Sequence, residues 1–180
     1  MSMKQTVVDL VRSHALQFGD FTLASGKHAK FYLDCRRLTL DSRGAPIIAA
    51  ALLDLCPTSE TQAVGGMELG AVPIAAAMLC VAHARSQTLR GFVVRKERKS
   101  HGKGQQIEGP VEPGDRVVIV EDVVTTGGSS LKAIEACREF GLLVRDVVAI
   151  VDRQAGGAEA FHAEGCSFQA LVTLSDLGLE

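Results

Sequence analysis

Two neighbouring carboxylates, Glu121 and Asp122, stand between the apolar run Val117-Val118-Ile119-Val120 and the small-residue run Thr125-Thr126-Gly127-Gly128-Ser129-Ser130. Four β-branched residues in a row predict a strand buried on both faces, as in parallel sheets, with the two acids at its end. Beyond the glycines, Ala133, Ala136, Cys137 and Phe140 fall on one helical face, and Gly141 is placed as a stop. The turn and the helix start offer backbone N–H groups and a positive dipole end to a phosphate. The acids can accept hydrogen bonds from sugar hydroxyls. Together they describe a sugar-phosphate site. A plain helix cap with solvated acids would use some of the same letters. No Lys precedes the Ser/Thr as in a Walker A loop, which argues against a kinase or GTPase.

Three further segments carry chemistry. Arg95-Lys96-Glu97-Arg98-Lys99-Ser100-His101-Gly102-Lys103-Gly104 places five Lys or Arg among its first nine residues, directly after the apolar Phe92-Val93-Val94. Its glycines and lack of apolar periodicity predict a mobile loop. Such a loop can close over a polyanion and neutralise it, or it can be a solvated or RNA-facing patch. Gly65-Gly66-Met67-Glu68-Leu69-Gly70 is expected to join a strand to a helix, with glycines that admit a ligand close to the backbone or simply make a tight turn. Asp152-Arg153-Gln154 follows the apolar run Val144–Val151, at a strand end where ligands gather in open α/β sheets. Arg153 suits a bidentate grip on a planar carboxylate.

The segment Val117–Ser129 resembles the phosphoribosyl pyrophosphate (PRPP) signature of type I phosphoribosyltransferases. The basic segment resembles the Arg-Lys-x-x-Lys-x-His-Gly loop of the orotate phosphoribosyltransferases, and residues 21–34 resemble their N-terminal hood. Gly65–Gly70 resembles the family's pyrophosphate-binding loop, so four motifs stand in family order over nearly the whole chain. The resemblance implies transfer of the phosphoribosyl group from PRPP to orotate, giving orotidine 5′-monophosphate and pyrophosphate, a step of pyrimidine synthesis. It implies PRPP contacts from Arg95, Lys96, Lys99 and His101, from Glu121, Asp122, Val123 and Val124, and from Thr125, Thr126, Gly127, Gly128 and Ser129. Lys99 and His101 would be catalytic, stabilising the departing pyrophosphate. Thr125 and Arg153 would meet orotate. It further implies Mg²⁺ carried mainly by PRPP without a protein metal site, and a homodimer whose basic loop reaches the neighbouring subunit's site. Two departures stand out. Ala24 occupies a position where many members carry Lys, and Ser100 one where many carry Asp. Phe31 and Tyr32 can shield a flat ring or serve only as packing. A transferase for another base, or an RNA-binding regulator on the same fold, stands beside this reading.

These groups need a scaffold. The 180 residues suit one domain over 1–180, with the hood formed by about residues 1–40, and can bury roughly 70% of their extended surface. Hydrophobic content is 47% against 4% aromatic, so Ala, Val, Leu and Ile build the core, which favours strands alternating with helices. The expected order is a helix over Lys4–Phe18, a hairpin from Phe21–Ala24 and Phe31–Asp34, and a helix over Pro46–Leu55. A strand over Gln62–Val64, a helix over Ala71–His83 and a strand at Phe92–Val94 come next. The acidic strand and its helix follow, then a strand over Val144–Val151, a helix near Ala158–Ala163 and a strand around Gln169–Leu174. That alternation predicts an α/β fold, a central mostly parallel sheet flanked by helices and joined by right-handed crossovers.

The net charge of −2 argues against a general nucleic-acid or membrane binder, and the apolar run Ala45–Leu55 is too short to span a bilayer. Cys35, Cys56, Cys80, Cys137 and Cys166 show no CxxC or zinc spacing. They favour reduced, mostly buried thiols in a cytoplasmic protein, and Met-Ser-Met-Lys-Gln has no signal-peptide core.

Overall fold

Successive residues of the strand Arg116–Val124 feed different clusters: Val118 and Val120 enter one hydrophobic core, Val117 and Ile119 another. A strand alternates its side chains between two faces, so a strand apolar on both must lie between two layers. The computed structural model describes residues 2–22, 28–57, 60–97 and 106–179 and has this layered form. The chain runs through α1 (Met3–Leu10), a π-helical turn (Val11–Ala15), β1 (Leu16–Thr22), β2 (His28–Leu33), α2 (Arg36–Thr39) and α3 (Ala45–Leu55). It continues with β3 (Ala63–Met67), α4 (Ala71–Ala84), β4 (Arg90–Val94), β5 (Ile107–Glu108) and β6 (Arg116–Val124). Last come α5 (Gly128–Phe140), β7 (Leu143–Asp152), α6 (Gly157–Ala163) and β8 (Ser167–Thr173).

The main sheet has the order β5-β4-β3-β6-β7-β8, all parallel except β5, which runs antiparallel to β4. One face buries Val7, Ile48, Leu52, Ile74 and Met78 from α1, α3 and α4. The other buries Ala133, Ile134 and Cys137 of α5 with Phe161 of α6. From β3 the chain steps to β4 on one side; from β6 it steps to β7 and β8 on the other. The connections leaving β3 and β6 therefore diverge, which opens a crevice at their C-terminal ends.

Several boundaries differ from expectation. The opening helix ends at Ala15 rather than Phe18, because Leu16-Gln17-Phe18 alternates with period two and pairs with Leu33, Tyr32 and Phe31 of β2. Gly65 and Gly66 lie inside β3, not in a loop. A Cβ at Gly65 would fall on the Phe92 carbonyl oxygen and one at Gly66 on that of Val120, so these glycines let β3 fit between β4 and β6. The acidic pair lies within β6, which continues to Val124. The short α2 and β5 were not foreseen, since four and two residues are too few for a periodic signal. Gly141 ends α5 as expected, at φ 98°. The five cysteines are free; Cys80 is exposed and the others buried. No helix among the described residues is long and apolar enough to cross a membrane.

Candidate active site

Period-two geometry sends the two acids in different directions. Glu121 faces α5: its Oε2 accepts hydrogen bonds from the hydroxyls of Ser129 at 2.7 Å and Ser130 at 2.9 Å. Only 5% of Glu121 is exposed, and burial pushes its carboxyl up to about 7, against the pull of the two hydroxyls. Asp122 faces the β3–α4 junction, where a Cβ on Gly70 would stand 2.8 Å from its Oδ1. It is half-buried, and the same Oδ1 accepts the Val123 N–H at 2.8 Å. The acids thus flank the crevice between β3 and β6.

The small-residue turn forms the crevice floor. Thr125, Thr126, Gly128 and Ser129 are exposed, whereas Gly127 is buried in a left-handed conformation at φ 78°. That conformation favours glycine, and a Cβ there would also meet the Phe161 ring at 2.9 Å. Gly157 presses equally close, its added Cβ overlapping Val124 Cγ1. The turn is thereby fixed against α6. Leu131 N donates to Gly127 O at 2.8 Å, so the N–H groups before it face out of the helix end, where they can bind an anion. Val123 and Val124 act as strand residues: Val124 is buried, and its carbonyl accepts the Arg153 N–H at 2.8 Å.

That last bond sets Arg153 beside the turn. Its guanidinium lies 5.5 Å from the centroid of the Phe31 ring on the β1–β2 hairpin, while Tyr32 packs on Phe21 with centroids 5.7 Å apart. The hairpin thus uses its adjacent aromatics differently: Phe31 meets Arg153 and Tyr32 packs within the hairpin. The positive φ of Gln154 (54°) is held by Asp152, which accepts the Gln154 N–H at 2.8 Å, and by Ser175, whose N–H and hydroxyl both donate to Gln154 Oε1.

The basic segment begins at the end of β4. Arg95 ion-pairs with Glu108 at 3.1 Å, and the Lys96 N–H donates to Glu68 Oε1 at 3.0 Å, tying the root of this segment to the β3–α4 loop. Lys99, Ser100 and His101 lie outside the described residues, as do Ala24 and Lys27. The β3–α4 loop itself is Glu68-Leu69-Gly70, with a cis Glu68–Leu69 peptide.

Of three neighbours of Asp122, Gly70 belongs to the glycine-bearing segment 65–70 expected near a ligand, whereas Cys35 and Arg36 carried no such expectation. Gly70 leaves room for Asp122, and Cys35 is fully buried close enough to Asp122 for that charge, after burial itself, to push its thiol up. Arg36 is held first by Asp34 at 2.8 Å and also feels Asp122. The pairing of Asp34 with Arg36 two residues on was the one signal available. A cleft of about 900 Å³ adjoins the site, lined by residues that include His14, Asp34, Arg36, Leu40, Asp41 and Leu69 but not Glu121 or Asp122. Among the described residues no three His, Cys, Asp or Glu side chains are grouped to hold a metal ion.

Comparison with known proteins agrees with this geometry. A model of the phosphoribosyl transferase domain matches residues 46–167. The chain is 53% identical over 180 residues to orotate phosphoribosyltransferase of Rhodopirellula baltica, covering 97% of this chain and 93% of that protein. With the Aquifex aeolicus orotate phosphoribosyltransferase it shares 43% identity, covering 98% of each. It superposes on the crystal structure of Mycobacterium tuberculosis orotate phosphoribosyltransferase in complex with PRPP with a TM-score of 0.84, at 37% identity, covering 99% of this chain and all of that one. The chain belongs to the phosphoribosyltransferase family and, within it, to the orotate phosphoribosyltransferases.

Proposed function

We propose that this protein transfers the 5-phosphoribosyl group of PRPP to orotate, releasing pyrophosphate and orotidine 5′-monophosphate in pyrimidine synthesis. One observation supports the reading most: the Arg153 N–H donates to Val124 O, so this Arg, suited to a carboxylate, stands beside the small-residue turn at a topological switch point. The backbone from Thr125 to Ser129 cradles the 5′-phosphate. Glu121 and Asp122 accept hydrogen bonds from the ribose hydroxyls. Arg153 takes the carboxylate of orotate, a group that uracil, adenine and hypoxanthine lack, with Thr125 beside it and Phe31 covering the ring.

The bond from the anomeric carbon to pyrophosphate lengthens, positive charge grows on the ribose, and an orotate ring nitrogen attacks from the opposite face. Catalysis is mainly electrostatic. Lys99 and His101 neutralise the leaving pyrophosphate, Lys96 adds charge at the loop's root, and Arg95 joins them after exchanging Glu108 for the ligand. Mg²⁺ carried mainly by PRPP, as its preference for phosphate and water suits, would supply countercharge to the leaving pyrophosphate. No protein carboxylate is needed as its ligand.

The active form is a homodimer with the basic loop acting in the partner's site. Leu40 and Leu69, 74% and 69% exposed on the rim of the 900 Å³ cleft, support burial against a second copy. Five free thiols support a reducing, cytoplasmic setting. The whole chain acts as one domain, with the β1–β2 hairpin as its hood. The deciding assay offers purified protein PRPP, Mg²⁺ and, in turn, orotate, uracil, hypoxanthine and adenine. Only orotate should be consumed; turnover of a purine instead, or none alongside salt-sensitive RNA binding, would refute the reading.

A further inference from the structure

Ser130 takes no part in the proposed chemistry, yet it is a fully buried hydroxyl in the first turn of α5. It shares Glu121 Oε2 with Ser129, at 2.9 and 2.7 Å. The two serines differ in reach. Ser129 is exposed in the phosphate turn, so an arriving phosphate would compete for its hydroxyl. Ser130, closed in on all sides, cannot follow. Glu121 Oε1 accepts the Asp122 N–H at 3.3 Å, and a carboxylate oxygen has two acceptor sites. Oε1 therefore keeps capacity for a ribose hydroxyl while Oε2 is tied back.

We propose that Ser130 is a positioning residue of the active site: its buried hydroxyl ties Glu121 to the first turn of α5 and holds that carboxylate at the ribose while Ser129 turns to the 5′-phosphate. The inference rests on the phosphoribosyl-transfer reading and concerns how one of its carboxylates is kept in place. The brace also affects proton affinity. An apolar surround favours the protonated acid, the two serine hydroxyls favour the ionised one, and the carboxyl of the adjacent Asp122, through its charge and a hydrogen bond to the protonated form, again favours protonation. Without the Ser130 hydroxyl, Glu121 should hold its proton to higher pH.

The test compares wild type, Ser130→Ala, Ser130→Thr, Glu121→Gln and the Ser130→Ala/Glu121→Gln double variant. Initial rates are taken across about pH 5 to 9 with PRPP or orotate limiting, and melting temperatures alongside. Ser130→Ala should lower kcat/KM for PRPP about tenfold, the loss of one hydrogen bond to a charged group. Its acid limb should move to higher pH, kcat/KM for orotate should change less, and Thr should restore the limb. On the Glu121→Gln background the Ala substitution should add little. An unmoved acid limb, or a Ser130→Ala effect that persists in full beside Glu121→Gln, would overturn the assignment. A lower melting temperature with both specificity constants falling equally would show a packing role instead. PRPP binding by calorimetry over the same pH range needs no turnover: if wild type left orotate untouched, the function would fail while this titration still judged the brace.

Discussion

Arg153 holds its guanidinium carbon 5.5 Å from the centre of the Phe31 ring, joining the end of β7 to the hairpin β1–β2. A flat cation against a flat ring limits the planes in which Arg153 can present its fork. Arg153→Ala should raise KM for orotate by about ten- to a hundredfold, the value of a charge-assisted pair, and leave KM for PRPP nearly unchanged. Arg153→Lys should recover little, because a point charge cannot replace a bidentate fork. Phe31→Leu should raise the orotate KM about threefold. Steady-state kinetics with each substrate limiting checks all three, and unchanged orotate kinetics in Arg153→Ala would remove the assignment.

Gly70 tests the spacing around Asp122. Its φ of −56° and ψ of −43° suit any residue, so Gly70→Ala carries no backbone strain. The added methyl would stand 2.8 Å from Asp122 Oδ1 and must push the carboxylate away. The expected result is a fall of about tenfold in kcat/KM for PRPP with a melting temperature close to wild type. A normal kcat/KM would show that Asp122 need not occupy its present place.

Glu121 makes stability depend on pH. Its carboxyl titrates near 7 in the folded protein, above the ordinary 4.5, chiefly because it is buried. Between those two values the folded state binds more protons than the unfolded one, so this group's contribution falls as pH rises through the window. Glu121→Gln removes the titration. The stability of wild type relative to Glu121→Gln should therefore drop by about 3 kcal/mol at most between pH ~4.5 and pH ~7.5. Urea unfolding of both proteins at the two ends of that range measures the difference. Parallel pH profiles would mean that Glu121 titrates normally.

Lys99 carries the test of the shared loop. Lys99→Ala should cut turnover by orders of magnitude while PRPP binding weakens less, if its charge acts on the leaving group as proposed. Hybrids with Asp122→Ala then reveal the subunit of origin. If the loop acts in trans, each Lys99→Ala/Asp122→Ala heterodimer holds one intact site, and an equal mixture recovers about a quarter of wild-type turnover. If it acts in cis, every site is damaged and the mixture stays inactive.

The local elements were largely legible in the residues. Four β-branched residues could only be a doubly buried strand, the helix after Gly127 advertised its face through Ala133 and Cys137, and Gly141 marked its end. The acidic pair and the turn after it read as a candidate sugar-phosphate site, because strand, charge and flexible backbone are contiguous in the chain. Where two patterns competed the reading slipped: Leu16-Gln17-Phe18 fits the end of a helix until a partner strand is present, and Gly65-Gly66 reads as a loop until β4 and β6 close in on it.

What the chain alone determined, then, was the alternation of elements and the chemistry of contiguous motifs, since both depend on spacings of a few residues. Tertiary structure alone decided that Glu121 and Asp122 look to different layers, that Gly70 lies against one acid and Cys35 feels its charge while Ser129 and Ser130 hold the other, and that Phe31 meets Arg153. These are contacts between residues distant in sequence or turned apart by the pleat. They exist only once the sheet order and the packing of both layers have been fixed, and no local pattern encodes them.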